Sequence, residues 1–226
     1  MTGQLDHGGS ASGEPEGRRE RNMLDKRHRI FEAAAILFSE RGYEEVNTQE
    51  IAERAAVAAG TVFRYASSKA ELLLMVYNDE LRGAIDVGLR AAAAHTDPVD
   101  AVDALVQPVL AGARRNPPTA VAYQRELLFG PATEQYRAAG LALVAELEQA
   151  VAARLVATPD ADRIDDVARW REARRAARTV FATLSLLLAE PSTGAHPEAD
   201  LSVELRGQVA QIVRGFLATL PFTIES

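Results

Sequence analysis

Between Asn47 and Lys69 the chain reads NTQEIAERAAVAAGTVFRYASSK, and few folds accommodate this stretch. Asn47 stands where a helix should begin, and Glu50 three residues on can reach back to its backbone amide, the reciprocal pair of a capping box. Ile51, Ala52 and Ala55 then make one apolar stripe, the spacing of a short amphipathic helix. After Ala56-Val57-Ala58-Ala59 a second helix is predicted from near Ala58, carrying Gly60 to Tyr65. Bulky side chains at the corner would hold two crossing helices apart, so a run of small residues there is what a helix-turn-helix requires.

On the second helix Val62 and Ala66 lie four apart and can face the first. Gly60, Thr61, Arg64 and Tyr65 fall on the opposite side, giving a polar, aromatic and cationic surface in front of an apolar one. Such a surface suits a DNA major groove. Glycine allows close approach, a hydroxyl can serve bases or phosphates, and arginine can pair with guanine O6 and N7. Lys69, just beyond, can neutralise a phosphate beside the positive N-terminal end of the next helix.

From Arg27 to about Tyr77 the chain resembles the DNA-binding region of the tetracycline-repressor (TetR) family of transcriptional regulators. The resemblance rests on Phe38-Ser39-Glu40-Arg41-Gly42-Tyr43, Glu50-Ile51-Ala52, Ala55-Ala56-Val57, Gly60-Thr61-Val62-Phe63-Arg64-Tyr65, and Ser68-Lys69 with Glu71-Leu72-Leu73. It implies base or methyl contacts from Gly60, Thr61, Phe63 and Arg64, and phosphate contacts from Thr48, Tyr65 and Lys69. It implies a homodimer on double-stranded DNA with a small-molecule effector, and no cofactor. Three positions depart from the family pattern: Ala56 where glycine is usual, Ala66 where a large aromatic is usual, and Ala58 where serine often stands. If the turn at Ala56 needs positive φ, alanine there costs about 1 kcal/mol.

A net charge of -7 looks unsuited to nucleic acid until it is divided along the chain. Residues 18–69 carry ten cations against eight acids, residues 70–226 fifteen against twenty-one, and the first 17 only three acids. A weakly basic small domain on an acidic remainder leaves positive potential only where a groove would be met. Cysteine is absent, which excludes disulfides and thiolate chemistry. No apolar run approaches the ~18 residues of a membrane span and no leader is evident, so a cytoplasmic protein is expected.

The rest of the chain reads as helices. Residues 1–22, rich in Gly, Ser, Glu and Arg, are expected to form a disordered arm. Arg18, Arg19 and Arg21 at its end either enter a minor groove or remain solvated beside Glu16 and Glu20. Ile30, Ala34, Leu37 and Phe38 define a supporting helix from Asp25 to Arg41, stopped by Gly42. A long helix opens at Ser67 and runs toward Ala94. Segments follow over Val99 to Arg115 with Pro108 inside, Thr119 to Phe129, and Thr133 to Ala157, the last closed by Thr158-Pro159-Asp160. No strand-like alternation survives, so the expected fold is all-α: an N-terminal three-helix domain with the helix-turn-helix (23–70) and a larger C-terminal helical domain for effector binding and dimerisation (71–226).

The last two helices have broad apolar faces, with Ala177, Phe181, Leu184 and Leu188 on one and Val209, Val213, Phe216 and Leu217 on the other. Two accounts compete for them: a four-helix interface between two copies, or packing within one subunit. The resemblance, in which the final long helices form the dimer, favours the first. Tyr123, Phe129, Tyr136 and Trp170 could supply an aromatic wall to an effector pocket, with Arg125 or Glu126 as a polar handle. No catalytic or metal constellation is visible. His7, His28, His95 and His196 are scattered, and Asp165-Asp166 reads as the first turn of a helix. The chain is read as a non-enzyme, and the remaining alternative is a helical scaffold whose helix-turn-helix is only a packing unit.

Overall fold

The computed structural model describes residues 14–132, 134–157, 166–194 and 198–219. Residues 1–13 of the expected arm, Thr133, the Thr158-Pro159-Asp160 stop, Asp165, His7 and His196 lie outside them. The described residues form nine α-helices and no strand. None of these helices is long and apolar enough to cross a membrane.

The head comprises α1 (Glu14–Arg41), α2 (Thr48–Arg54) and α3 (Ala59–Val62). Helix α1 stops at Gly42, whose φ of +82° takes the left-handed conformation and whose N–H donates to Phe38 O at 2.9 Å. Its N-terminal end corrects the expectation of a disordered arm, because residues 14–22 are helical. That stretch cannot bury a core, yet it extends a helix already nucleated by Ile30, Ala34 and Phe38. Lengthening an existing helix with Glu and Arg avoids the nucleation cost that an isolated arm would face.

Helix α2 carries the capping box read from the sequence. Asn47 Oδ1 accepts from Glu50 N at 3.0 Å and Glu50 Oε2 from Asn47 N at 2.9 Å. At its other end Val57 N donates to Ala52 O and Ala56 N to Glu53 O, the paired bonds of a left-handed helix stop. Ala56 closes that stop at φ +50°, a conformation a Cβ disfavours by about 1–2 kcal/mol. Ala56→Gly is therefore expected to raise stability by about 0.5–1 kcal/mol, after part of the relief is offset by glycine's greater unfolded freedom. The urea midpoint of the variant against the parent measures it, and an unchanged or lower midpoint would contradict the strain.

The body consists of α4 (Lys69–Ala92), α5 (Pro98–Ala113), α6 (Pro117–Phe129), α7 (Gln135–Val156), α8 (Asp166–Thr193) and α9 (Leu201–Thr219). Pro108 sits inside α5 without ending it, and α6 opens at Pro117-Pro118, two residues before the expected Thr119, beneath an Asn116 cap, where a missing N–H costs nothing. Two apolar cores result. One gathers Ile30, Phe38, Ile51, Val62, Ala66 and Leu72 to Val76 from the head and α4, and continues through Tyr123, Leu127, Tyr136 and Val144 of the body. The other lies among α4, α5, α7, α8 and α9.

That second core holds five of the eight residues expected at a dimer interface. Ala177, Leu184, Val209, Val213 and Phe216 are all at most 4% exposed in a single chain, packed against Leu105, Leu110, Val151 and Leu155. A broad apolar face on α8 and α9 is needed because each helix packs on several neighbours at once. Phe181, Leu188 and Leu217 are half-buried.

Candidate nucleic-acid interface and effector cleft

Helix α3 spans only Ala59–Val62, and the chain continues through Tyr65 in tight turns, with Arg64 N on Thr61 O at 3.2 Å and Tyr65 N on Val62 O at 2.9 Å. Ala58 supplies no side-chain cap. Val62 and Ala66 are buried, at 0% and 2% exposure, while Gly60, Phe63 and Arg64 are exposed and Thr61 and Tyr65 half-buried. Phe63, at 50% exposure, is a large apolar group held in solvent. A Cβ on Gly60 would meet nothing, so its glycine is not required by packing within the chain.

Three of the proposed phosphate ligands have additional partners or positions. Tyr65 donates its hydroxyl proton to Met23 O at 3.2 Å, tying the end of the reading element to α1. The ammonium of Lys69 donates to Glu44 O at 3.2 Å and lies 4.4 Å from the centre of the Tyr43 ring, keeping further N–H bonds for an anion. Thr48 is the first residue of α2 and is half-buried. The Asn47 backbone N–H, then Arg41, hold the Glu50 carboxyl below the usual carboxylate range. Its support of α2 is thus present at neutral pH and fades as pH falls through that lowered value.

Behind the head, α4 to α8 enclose an apolar cleft of about 80 Å³. Its walls include Tyr77 and Leu81, Val109, Tyr123 and Leu127, and Phe181, Leu184 and Leu188. Tyr77 and Tyr123 stand with ring centres 5.6 Å apart. Burial pushes the Tyr77 hydroxyl up to about 12 and raises Tyr123 as well, so both are neutral phenols at any physiological pH. Tyr123 donates to Asn78 Oδ1 at 2.8 Å, and Asn78 Nδ2 to Tyr136 O at 2.7 Å.

Of the six residues expected at an effector pocket, only Tyr123 lines this cleft. Phe129 is 82% exposed, Tyr136 lines an outer groove among α1, α4 and α7, and Trp170 packs under Arg174. Arg125 pairs with Glu126 at 3.0 Å on the surface. In exchange, Phe181, Leu184 and Leu188, expected between two subunits, form part of the cleft wall. The periodicity that marked them as apolar could not say which neighbour they face.

The joint between head and cleft was also missed. Thr119 Oγ1 accepts from Tyr43 N at 3.1 Å, and Asn116 Nδ2 donates to Phe38 O at 3.2 Å, fixing the end of α1 on the start of α6. Glu71, 6% exposed, accepts from Ser67 N at 2.6 Å and from Gln135 N at 3.2 Å. It thereby joins the N-termini of α4 and α7. The only signal in the sequence was the Asn-Pro-Pro run that opens α6.

The described residues thus form an all-helical protein with a helix-turn-helix head packed on a cleft-bearing body. Residues 30–76 match the family model described as bacterial regulatory proteins, tetR family. That stretch of the chain is similar to the DNA-binding part of this family. It is 34% identical over 109 residues to the HTH-type transcriptional repressor KstR of Mycolicibacterium smegmatis, a match covering 48% of this chain and 53% of that one. KstR of Mycobacterium tuberculosis is 32% identical over the same length, with 50% of it covered. The chain thus spans about half the length of the curated relatives it matches. Among solved structures, the Thermus thermophilus repressor FadR in complex with lauroyl-CoA is similar at TM-score 0.65 and 27% identity, over 88% of this chain and 99% of that one. FadR of Bacillus subtilis in complex with stearoyl-CoA shares the fold at TM-score 0.62 and 17% identity, over 83% and 98%.

Proposed function

We propose that the chain is a ligand-responsive, DNA-binding transcriptional repressor, acting as a homodimer on a roughly palindromic operator. The observation that carries this reading is the two-sided reading element. Val62 and Ala66 are buried, while Gly60, Phe63 and Arg64 are presented outward with no packing role that asks for them. A scaffold would gain nothing from an exposed phenylalanine and arginine at such a corner. By likeness to FadR, the effector is a small molecule with a long apolar part, which a cleft walled mainly by aliphatic and aromatic side chains suits.

At about 80 Å³ the cleft is well below the ~300–1,000 Å³ of pockets that enclose such ligands. An effector must therefore displace α6 or α8 to enter. Because Asn116 and Thr119 at the start of α6 hold Phe38 and Tyr43, that displacement reaches the head directly. A ligand preferring the displaced form shifts the dimer away from its DNA-fitting geometry. The second subunit would dock on the outer faces of α8 and α9, where Leu186 and Val203 are 65% and 69% exposed beside Ala182, Gly207 and Ala218.

The test uses duplexes selected from the genome by the purified protein. Arg64→Ala is expected to weaken binding about 5- to 100-fold and relax base choice at one position, whereas Lys69→Ala weakens all sequences alike. A long-chain acyl-CoA should release the parent from its duplex. Equal loss on selected and unselected duplexes for Arg64→Ala would remove the base-reading role, and no selection of any duplex would remove the function.

A further inference from the structure

Helix α1 continues well past the head it supports. Its 28 residues span about 42 Å, and Arg18 to His28 are all exposed. The stripe that faces the head core, Leu37, Ala34, Ala33 and Ile30, continues at helical spacing through Lys26, Met23 and Arg19. Tyr65 confirms this direction, since its hydroxyl meets the helix at Met23 O. The same face that buries apolar side chains under α2 and α3 therefore turns cationic where it passes the end of the reading element.

Between Arg19 and Ile30 that stripe carries no acid. Asp25 falls on another face and pairs with Arg29 at 3.2 Å, while Glu20 lies toward the Leu24 and Phe31 side. His28 pairs with Glu32 at 3.2 Å, and Arg21 turns back to Gly17 O at 3.0 Å. Arg19 and Lys26 form no ion pair among the described residues. They stand on the one side of an acidic protein that adjoins the proposed groove-reading surface.

We propose that the Arg19 and Lys26 face of α1 is a second DNA contact, gripping backbone phosphates that flank the bases met by α3. This rests on the DNA-binding reading above. A helix ~10–12 Å across cannot enter a minor groove ~6 Å wide, so the contact is to phosphates along the groove edge and not to bases. It adds affinity without sequence preference. Because the helix is rigid and anchored through Met23 to Tyr65, the same element fixes how the head sits on the duplex.

Nonspecific binding reads this contact without knowledge of the operator. Dissociation constants for a 40-base-pair mixed-sequence duplex, measured by fluorescence anisotropy across salt concentrations, give the slope of log K against log salt. The double variant Arg19→Ala/Lys26→Ala is expected to flatten that slope by about 1.8 for each protomer bound, two phosphate contacts at 0.9 each. The charge-matched pair Arg90→Ala/Arg154→Ala on the body should leave it unchanged, and circular dichroism should show both variants folded. An unaltered slope in the α1 variant, or an equal fall in the body control, overturns the proposal while the regulator reading stands. A parent chain that binds no duplex overturns both.

Discussion

Gly88→Ala is expected to destabilise the protein by about 2–3 kcal/mol. Gly88 lies in α4 where that helix crosses α5, and a Cβ built there would stand 2.1 Å from the backbone oxygen of Leu105 and 2.9 Å from its carbonyl carbon. Backbone atoms of a neighbouring helix cannot rotate away as a side-chain tip can. The two helices would have to separate along a contact packed by Ile85, Ala92, Val102 and Val106, none more than 1% exposed. Overpacking of this kind costs about 1–3 kcal/mol and occasionally more, well above the ~1 kcal/mol that alanine gains in a helix interior. Gly83, one and a half turns earlier in the same helix, has nothing within reach of a Cβ. Gly83→Ala should therefore stabilise by up to ~1 kcal/mol. Opposite signs at two glycines of one helix, read from urea unfolding, would establish that the α4 and α5 crossing is the cause, and equal signs would refute it.

The second large effect is at the joint. Glu71→Ala is expected to cost about 3 kcal/mol, because two backbone N–H groups, of Ser67 and Gln135, lose a charged acceptor in a site where Glu71 is only 6% exposed. Hydrogen bonds to charged groups contribute about 1.5–3 kcal/mol, and since Ser67 and Gln135 are themselves exposed, water offsets part of the loss of two such bonds. Glu71→Gln keeps one carbonyl oxygen and should recover roughly half of the loss. The functional consequence separates this residue from an ordinary core position. With α7 no longer tied to the start of α4, the proposed release from DNA by a long-chain acyl-CoA should be less complete at saturation in the Glu71→Gln variant than in the parent. A Glu71→Gln protein that is destabilised but fully released would confine the residue to a structural role.

How far the sequence carried the structure depends on whether a residue's partner is local. The capping box of Asn47 and Glu50, the stop at Gly42, the buried Val62 and Ala66 and the strained Ala56 are all decided within a few positions of themselves, and all were legible. Phe181, Leu184 and Leu188 were legible as apolar but not as the wall of a cleft, since a helix face does not name the helix opposite. Thr119, whose partner Tyr43 is 76 residues away, left no local trace at all. Residues 14–22 erred differently. Composition argued against a core, correctly, but a helix borrowed from its neighbour needs none.

The apolar core of the head does not end at its own last residue. Ile30, Phe38 and Ile51 share one cluster with Leu72 to Val76 of α4 and with Tyr123 and Leu127 of α6. An excised fragment stopping at the corner after α3 would lose half the side chains it folds around. Chimaeras that exchange reading specificity among relatives would therefore need a seam inside α4, beyond Val76, together with a matched surface on α6. The division of tasks proposed for head and body has no counterpart at the level of packing.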